Sequence, residues 1–415
     1  MRFDRRLWIM AAYGFVAGLP LPLSGFTFRL WLSEAGASRA VIGLTASIGL
    51  AYSLKFIWAP VLDNAAPPGP LRRLGRRRGW LALIQPLLAL AAVTLALSDP
   101  SRSLALSFTA AAMVAFLSAS QDILVDAWRI ELFPQRMQGA ALAAYVWGYR
   151  VALLISMSGV VASVGTVGWH GALLGVAVLL GLGVVVTLLA PEPTVPGLTV
   201  LTGLAARMRR AIIDPLAEFL SRPGAALVLV FVAVFKLGEA MAGIMTAPFY
   251  VSLGFTREAI AGTGPFSLVA TLAGISLGGW LVARIGVGRA LLWTGWTQTL
   301  AMAMYVLLAF SPGAQPILFA TVATEAFAQG MADAAFLTYL SGLCSLSFTA
   351  THYALLSSVP ALAIHTIGNV SGKLAQAVGW PAFYGICLFG AMPAMGLMVL
   401  LLRRYPPAET RGMRR

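Results

Sequence analysis

The chain has 415 residues, of which 59% are hydrophobic and 11% are charged, and its mean hydropathy is +0.84. Soluble globular domains contain roughly 45–50% apolar and about 25% charged residues. The apolar excess therefore excludes a water-soluble fold, and with it disordered, collagen-like and disulfide-scaffold chains. The formal net charge of +14 would suggest nucleic acid in a soluble protein, but most of the arginines stand in short clusters between apolar runs, which is typical of a polytopic membrane protein.

A helix needs about 20 apolar residues to cross the hydrocarbon core of a membrane. Such runs predict an all-α membrane protein with twelve transmembrane spans, numbered 1 to 12 in chain order. They lie near 7–32, 40–62, 79–97, 104–130, 138–164, 168–190, 223–253, 259–284, 287–310, 314–339, 349–376 and 380–403. The first run is too long for a signal peptide and lacks a small-residue cleavage site.

Basic residues are distributed unevenly between the two ends of the predicted spans. The connections that follow odd-numbered spans contain only Arg39, Arg102, Arg257 and Lys373, and most other basic residues lie on the opposite side. Because Lys and Arg accumulate in cytoplasmic loops, we expect both termini in the cytoplasm. An even number of spans agrees with this orientation.

The longest connection follows span 6 and divides the chain into six plus six spans. It predicts an N-terminal bundle at 1–190, a cytoplasmic linker at 191–222 and a C-terminal bundle at 223–415. Four apolar residues of the linker recur at helical spacing, which indicates an amphipathic helix at the membrane surface. They are Ile212, Ile213, Leu216 and Phe219.

The loops after spans 2 and 8 share a motif at equivalent places in the two halves. The first copy has Asp63 and, after a proline-rich insertion, the run from Gly75 to Arg78; the second runs from Gly279 to Arg289, with Ala283 in place of the acid. Both resemble the G-x-x-x-D-R-x-G-R-R signature of the major facilitator superfamily. This resemblance implies the major facilitator fold, two six-helix bundles with a substrate site at the mid-membrane level between them.

Ionisable side chains inside spans cost at least roughly 2.5–3.5 kcal/mol each on insertion scales, so they tend to face a cavity or a partner. They are therefore the candidate functional residues. Together with two glutamines on the same helix faces, they are Lys55, Gln121, Asp122, Asp126, Arg129, Arg150, Lys236, Glu239, Glu325, Gln329, Asp333, His352 and His365.

In span 4, Asp122, Asp126 and Arg129 follow the spacing i, i+4, i+7 and form one polar stripe. Asp122 and Arg150 of span 5 lie at depths where they can meet, with Lys55 as a further partner. A carboxylate between low-dielectric walls and a cation can exchange its proton as that cation moves, which suits a proton-coupled carrier. The alternatives are a permanent ion pair that fixes packing and, for Arg129, contact with lipid headgroups.

Span 10 has the place in the second half that span 4 has in the first. Glu325, Gln329 and Asp333 follow i, i+4, i+8 and share one helix face. Lys236 and Glu239, three residues apart on span 7, can pair with each other or with span 10. Lys236, like the arginine of span 5, suits a ligand that bears carboxylates.

Proline and glycine interrupt several spans. A run of five residues that begins at Gly18 and includes two prolines lies in the middle of span 1, and Pro248, Pro360 and Pro393 are predicted to interrupt spans 7, 11 and 12. Such breaks are tolerated where neighbouring helices or a cavity satisfy the backbone. Helices that move and ordinary packing kinks are both open interpretations.

Sequence features of enzymes and metal proteins are absent. There is no Walker loop, no H-x-x-x-H or cysteine cluster and no G-x-S-x-G elbow, and the connections are too short for a catalytic domain. The chain is therefore predicted to be neither ATP-driven nor an enzyme, and to need no cofactor or metal. Cys344, Cys387, His352 and His365 are interpreted as packing residues, with a proton relay as the alternative for the histidines.

The charged motifs resemble those of the AmpG-type muropeptide permeases, which are related to acetyl-CoA and siderophore carriers. The resemblance rests on the runs 53–63, 76–80, 118–129, 148–150, 235–240 and 347–358. It implies a proton-driven carrier of the bacterial inner membrane that works as a monomer among lipids and binds no nucleic acid. Its substrate would be N-acetylglucosaminyl-1,6-anhydro-N-acetylmuramyl peptides, imported for peptidoglycan recycling and, where an inducible enzyme is present, for β-lactamase induction.

Our hypothesis is a proton-coupled importer of these anhydromuropeptides, with Asp122 and next Asp126 as the proton-coupling residues. A siderophore or other solute carrier on the same scaffold, and a membrane sensor that does not transport, are the alternatives. The candidate substrate-binding residues are Lys55, Gln121, Arg150, Lys236, Glu239, Glu325, Gln329 and Asp333.

Overall fold

The computed structural model describes residues 4–37, 41, 45–193 and 213–405, which form helices joined by short turns. These ranges contain no strand, which confirms the all-α class. The α-helices, in our numbering, are α1 Arg5–Gly18, α2 Pro20–Ser24, α3 Phe26–Glu34, α4 Leu50–Leu54, α5 Ala59–Asn64, α6 Arg76–Leu97, α7 Leu104–Leu132, α8 Gln135–Leu154, α9 Val160–Leu189, α10 Asp214–Leu220, α11 Ala225–Phe235, α12 Leu237–Ser252, α13 Arg257–Ile285, α14 Val287–Ala301, α15 Ala303–Ala309, α16 Gln315–Leu343, α17 Thr349–Val378 and α18 Trp380–Arg404.

Seven helical stretches of the described residues are long and apolar enough to cross a membrane. They are Arg5–Leu32, Arg76–Leu97, Leu104–Leu132, Gln135–Leu189, Ala225–Gly243, Gly262–Ile285 and Trp380–Arg404. The stretch Gln135–Leu189 holds two predicted spans, because Gly168 has a φ of 69° and interrupts the helix between them. The described residues of the remaining predicted spans are mostly helical, so the helices are consistent with twelve spans, although the count itself stays a prediction.

Several predicted spans consist of shorter helices with a break near a candidate residue. Predicted span 1 is divided into α1, α2 and α3 at Leu19 and Gly25, next to its prolines. Predicted span 2 includes a 3₁₀ helix that begins at Lys55. In predicted span 7, α11 ends at Phe235, and its C-cap residue Lys236 has φ and ψ of −93° and 0°. The breaks in predicted spans 2 and 7 therefore coincide with Lys55 and Lys236, two of the candidate functional residues.

The prediction that three prolines interrupt their spans is wrong. Pro248, Pro360 and Pro393 lie inside the continuous helices α12, α17 and α18. A membrane helix retains its path through a proline when neighbouring groups satisfy the freed carbonyl. A proline alone therefore does not locate the breaks.

The chain forms two compact units. Unit 1 contains Met1–Pro134, Ala144–Pro215 and Ser345–Leu355, and unit 2 contains Gln135–Ala143, Leu216–Cys344 and Leu356–Arg415. Both units contain close helix crossings at small residues: α1 meets α8 at Gly14 and Gly148, and α13 meets α16 at Gly274 and Gly330. Small residues let membrane helices approach to backbone contact. The predicted bundle boundaries at 190 and 223 stay a prediction.

Buried aromatic rings pack together in unit 2. The rings of Tyr305 and Tyr384 are stacked with centroids 4.8 Å apart, and Phe249 lies 4.6 Å from Tyr384. Cys387 belongs to the same core, and the thiol of Cys344 donates to the carbonyl of Leu340. The rings join α12, α15 and α18 beside the charged residues of α16.

The predicted linker helix lies partly outside the described residues, which omit 194–212 and so Ile212. The described part forms α10, with Phe219 buried and Ile213 and Leu220 exposed. One apolar side chain of the predicted set is therefore covered by protein. The predicted contact of this helix with the membrane surface stays a prediction.

Replacement of Gly148 by alanine is expected to destabilise unit 1. The added Cβ atom would overlap the carbonyl oxygen of Ala11 and lie 2.8 Å from the backbone nitrogen of Phe15. Overpacking of this kind costs about 1–3 kcal/mol, so the unfolding temperature in detergent falls. Gly175→Ala is the control, because its Cβ meets nothing within 4 Å. Equal losses of thermal stability in the two variants would contradict the assigned crossing.

Candidate functional site

The first cluster of candidate residues lies on α7. Asp122 is partly buried, and in the described part of the chain its carboxylate forms no ion pair. One turn later, Asp126 accepts a bond from Arg129, with Nη2 and Oδ1 3.4 Å apart. Arg129 is fully buried and lies 5.3 Å from the ring centroid of Tyr353. This burial overturns the interpretation in which Arg129 reaches lipid headgroups.

The possible contact between Asp122 and Arg150 is not observed. The side chains of α8 that face Asp122 are Tyr145 and Tyr149, which are four residues apart and share one helix face. Arg150, the next residue, projects about 100° further around the helix. The cation that faces Asp122 is Lys55, as the sequence analysis allowed. Asp122 and Arg150 lie at a similar depth, but depth does not determine how α8 is rotated about its axis. That rotation decides which side chain of α8 faces the Asp122 carboxylate.

The second cluster lies in unit 2 around the break between α11 and α12. Lys236 Nζ lies 2.7 Å from Glu239 Oε2 and 2.5 Å from Asp333 Oδ1. The side-chain amide of Gln329 donates to the other oxygen of Glu239. The structure thus brings together the candidate residues of predicted spans 7 and 10, as their spacing allowed.

Glu325 adds a third carboxylate to this cluster. It lies one turn before Gln329 on α16, and it interacts electrostatically with Lys236, Glu239 and the hydroxyl of Tyr305. Among the described side chains of the cluster, three carboxylates therefore share one ammonium group. Such a site suits a bound cation, a proton or the amino group of a ligand.

Sequence reasoning missed one member of the cluster. Gln298 of α14 is buried, and its amide also donates to Oε2 of Glu239. The signal in the sequence is a single glutamine within the apolar run of predicted span 9. It has no charged residue on the same helix face, so spacing alone does not connect it to the charged residues. Two glutamine donors and one lysine hold Glu239 at a fixed position.

A third cluster, which sequence reasoning did not select, connects the ends of α5, α6 and α7. Arg77 has no exposed surface; its Nη2 lies 2.6 Å from Asp63 Oδ1 and 2.5 Å from Glu131 Oε1. Arg76 adds a 3.0 Å ion pair to Glu131. We call Asp63, Arg77 and Glu131 the Arg77 cluster. The loop motif after predicted span 2 was the signal, but it indicated a family rather than a contact.

The Arg77 cluster also holds the beginning of α17. The second carboxylate oxygen of Asp63 accepts bonds from the backbone nitrogen of Thr351 at 2.7 Å and from its hydroxyl at 2.9 Å. The first turn of a helix has unpaired N–H groups and a positive dipole end, so a carboxylate is stabilising there. Asp63 therefore joins α5, α6 and the first turn of α17 within unit 1.

Glu192 is a further anchor next to the predicted linker. Its carboxylate accepts bonds from the backbone nitrogens of Arg77 and Arg78, at 2.9 and 3.0 Å. In return, Arg78 donates to the carbonyls of Thr187 and Leu188 at the end of α9. The first N–H groups of α6 and the last carbonyls of α9, which have no partner within their own helices, therefore receive hydrogen bonds from the other segment.

No metal-binding group of three His, Cys, Asp or Glu side chains is found among the described residues. His352 accepts a bond from the nitrogen of Ser345 at 3.2 Å, and its Nε2 lies 2.9 Å from the carbonyl of Pro215. Both ring nitrogens are occupied, which fits a packing role. The side chain of His365 lies outside the described residues.

Replacement of Arg77 by methionine is expected to destabilise the protein strongly. The variant leaves the buried carboxylates of Asp63 and Glu131 without their shared partner, and breaking such a pair costs about 3–5 kcal/mol. Arg73→Met is the control, because Arg73 is exposed on the same loop. Thermal unfolding in detergent measures both. Similar unfolding temperatures for the two variants would show that the Arg77 cluster contributes little.

A family model of the Major Facilitator Superfamily matches residues 7–364. The anhydromuropeptide permease of Escherichia coli K12 is 35% identical over 409 residues, which are 97% of this chain and 80% of that protein. A Rickettsia conorii protein that carries the transporter name AmpG 4 is 33% identical over 401 residues, 96% of this chain and 97% of its own length.

Solved structures show the same fold at low sequence identity. The proton:xylose symporter XylE matches with a TM-score of 0.68 and 12% identity over 97% of this chain and 95% of its own. A bacterial homologue of the iron transporter ferroportin matches with a TM-score of 0.69 and 13% identity over 96% of this chain and 99% of its own. The family relatives indicate a multi-pass membrane transporter rather than an enzyme, and the chain belongs to the AmpG-type permeases of the major facilitator superfamily.

Proposed function

We propose that the protein is a proton-coupled importer of anhydromuropeptides in a bacterial inner membrane, where it serves peptidoglycan recycling. The observation that carries the proposal is the 35% identity to the Escherichia coli anhydromuropeptide permease over 97% of this chain. A match of this extent is not limited to a loop motif that many carriers share.

The unit 2 cluster supports a ligand that carries charges of both signs. An anhydromuropeptide has carboxylates and an amino group on its peptide stem and amides on its sugars and peptide. Ammonium and guanidinium groups would bind the carboxylates, whereas the excess of carboxylates around Lys236 would bind the amino group. The residues proposed to contact substrate are Lys55, Arg150, Lys236, Glu239, Glu325, Gln329 and Asp333.

The surroundings of Asp122 support proton coupling. A close ion pair favours the charged form of a buried carboxylate, and Asp63 is held in such a pair by Arg77. Asp122 has no such pair among the described residues, whereas Asp126 is bonded to Arg129. A carboxylate that faces a lysine without contacting it can be neutral or charged as the surroundings change. Asp122 is therefore the preferred coupling residue, with Asp126 second.

The charge bias of the loops supports an orientation with both termini in the cytoplasm. We place twelve spans in two bundles, 1–190 and 223–415, joined by the cytoplasmic linker 191–222. We also propose that the protein works as a monomer surrounded by lipid.

Uptake into proteoliposomes tests the proposed function. With an acidic outer and an alkaline inner solution, the wild type is expected to accumulate a labelled disaccharide tripeptide, and an uncoupler should abolish accumulation. Asp122→Asn should lose accumulation about tenfold or more, because the amide carries no exchangeable charge, while Asp99→Asn, at a half-exposed position in the turn before α7, should retain it.

Accumulation that is indifferent to the uncoupler would contradict proton coupling. A siderophore included in the same assay tests the substrate class, since its accumulation in place of the muropeptide would contradict the proposed substrate.

A further inference from the structure

Five buried polar atoms of unit 1 have no hydrogen-bond partner among the described residues, and they belong to four side chains that we call the Gln121 cluster: Tyr52, Ser118, Gln121 and Asp122. Gln121 has no exposed surface, and in the described part of the chain neither its amide oxygen nor its amide nitrogen has a hydrogen-bond partner. The hydroxyls of Tyr52 and Ser118 and one oxygen of Asp122 are also buried without one. Half of the ten such atoms in the described residues belong to this cluster.

The cluster is formed by neighbouring helix faces. Ser118, Gln121 and Asp122 stand at i, i+3 and i+4 on α7, so they point to one side. Tyr52 comes from α4, and its hydroxyl lies near the Asp122 carboxylate and the hydroxyls of Ser118 and Ser24, although within the described residues no direct hydrogen bond of ordinary geometry joins them. Polar groups that face each other beyond direct reach are commonly bridged by water.

Other charged and titratable groups interact with Asp122 from its own helix and from two neighbouring elements. Lys55 faces it from the 3₁₀ helix after α4 and Asp126 from α7. Tyr145 and Tyr149 face it from α8. Tyrosines and a lysine surround the carboxylate, so water beside it meets further polar groups.

Gln85 and Trp58, two other polar side chains of the same unit, differ from Gln121 in that each has a hydrogen-bond partner. The amide oxygen of Gln85 accepts a 2.7 Å bond from Thr187, and the indole nitrogen of Trp58 donates to Ser120 at 3.0 Å. Buried polar atoms in native proteins nearly always have a protein or water partner. The unpaired atoms of the Gln121 cluster therefore indicate a ligand that brings both donors and acceptors.

We propose that the Gln121 cluster binds ordered water and that this water is the group with which Asp122 exchanges its proton. A buried water needs two to four polar partners, and the amide and two hydroxyls offer donors and acceptors for them. Gln121 has no surface that a disaccharide peptide can touch, which favours water over substrate. Gln121 is thus a positioning residue, a revision of its predicted contact with substrate.

The proton transfer leaves no charge on the water. The proton of the neutral Asp122 carboxyl moves to the water oxygen, while another proton of that water passes to the next water or hydroxyl. Asp122 is left as a carboxylate facing Lys55, and the reverse sequence reloads it. The role of this water in proton exchange rests on the proposed proton coupling. The existence of the water site does not depend on that coupling.

X-ray hydroxyl-radical footprinting of the purified protein detects the water directly. Radicals formed from bound water modify adjacent buried side chains, so Tyr52 is expected to be labelled much faster than Tyr13, which is fully buried and whose hydroxyl is bonded to Thr187. Gln121→Leu should slow labelling of Tyr52 several-fold, and Gln85→Leu, a buried glutamine elsewhere in unit 1, should leave it unchanged. Wild-type labelling of Tyr52 no faster than Tyr13 would overturn the proposal, even if no variant folds.

Transport separates this role from a substrate contact. Gln121→Leu should bind the labelled disaccharide tripeptide and exchange it across proteoliposomes as the wild type does, but accumulate it about tenfold less in a proton gradient. Weaker substrate binding with coupling retained would overturn the proposal and assign Gln121 to substrate. Wild-type uptake that ignores an uncoupler would refute the proposed function, and the footprinting result would still decide the water site.

Discussion

The constraint on which the rest of the structure depends is the cost of charge inside an apolar helix bundle. A buried charge there must be paired, hydrated or neutralised. The Arg77 cluster is fully paired: Arg77 lies between Asp63 and Glu131, and Asp63 also caps α17. Its charges are fixed, and it is suited to hold helix ends together.

The other two clusters are not balanced in this way. Among the described side chains, the carboxylates around Lys236 outnumber the cation, and five polar atoms around Gln121 have no hydrogen-bond partner. Imbalance is costly for stability, so its presence at two sites indicates that a mobile species completes them. A substrate, a proton and water are the species that a carrier moves or contacts, which connects the electrostatics to the proposed transport.

The sequence predicted the helices, the family and the polar stripes correctly because these depend on local patterns. Apolar runs specify the helices, and spacing alone places Ser118, Gln121 and Asp122 on one face of α7. Contacts that depend on helix rotation or on distant segments were not predictable in the same way. Depth alone suggests a contact between Arg150 and Asp122, but Tyr145 and Tyr149 are the residues of α8 that lie on the face toward Asp122. The backbone nitrogen of Thr351 donates to Asp63, although the two residues are 288 positions apart in the sequence. Prolines were poor guides because a membrane helix can pass through them unbroken.

The central claim is that Asp122 changes its protonation state during transport. Infrared difference spectroscopy measures it directly, because a protonated carboxyl absorbs in a region free of carboxylate bands. Addition of a disaccharide tripeptide to the reconstituted wild type is expected to change the intensity of one protonated-carboxyl band, and that change should be missing in Asp122→Asn. A substrate-dependent band that persists unchanged in Asp122→Asn, or no such band in a transporting wild type, would contradict the account.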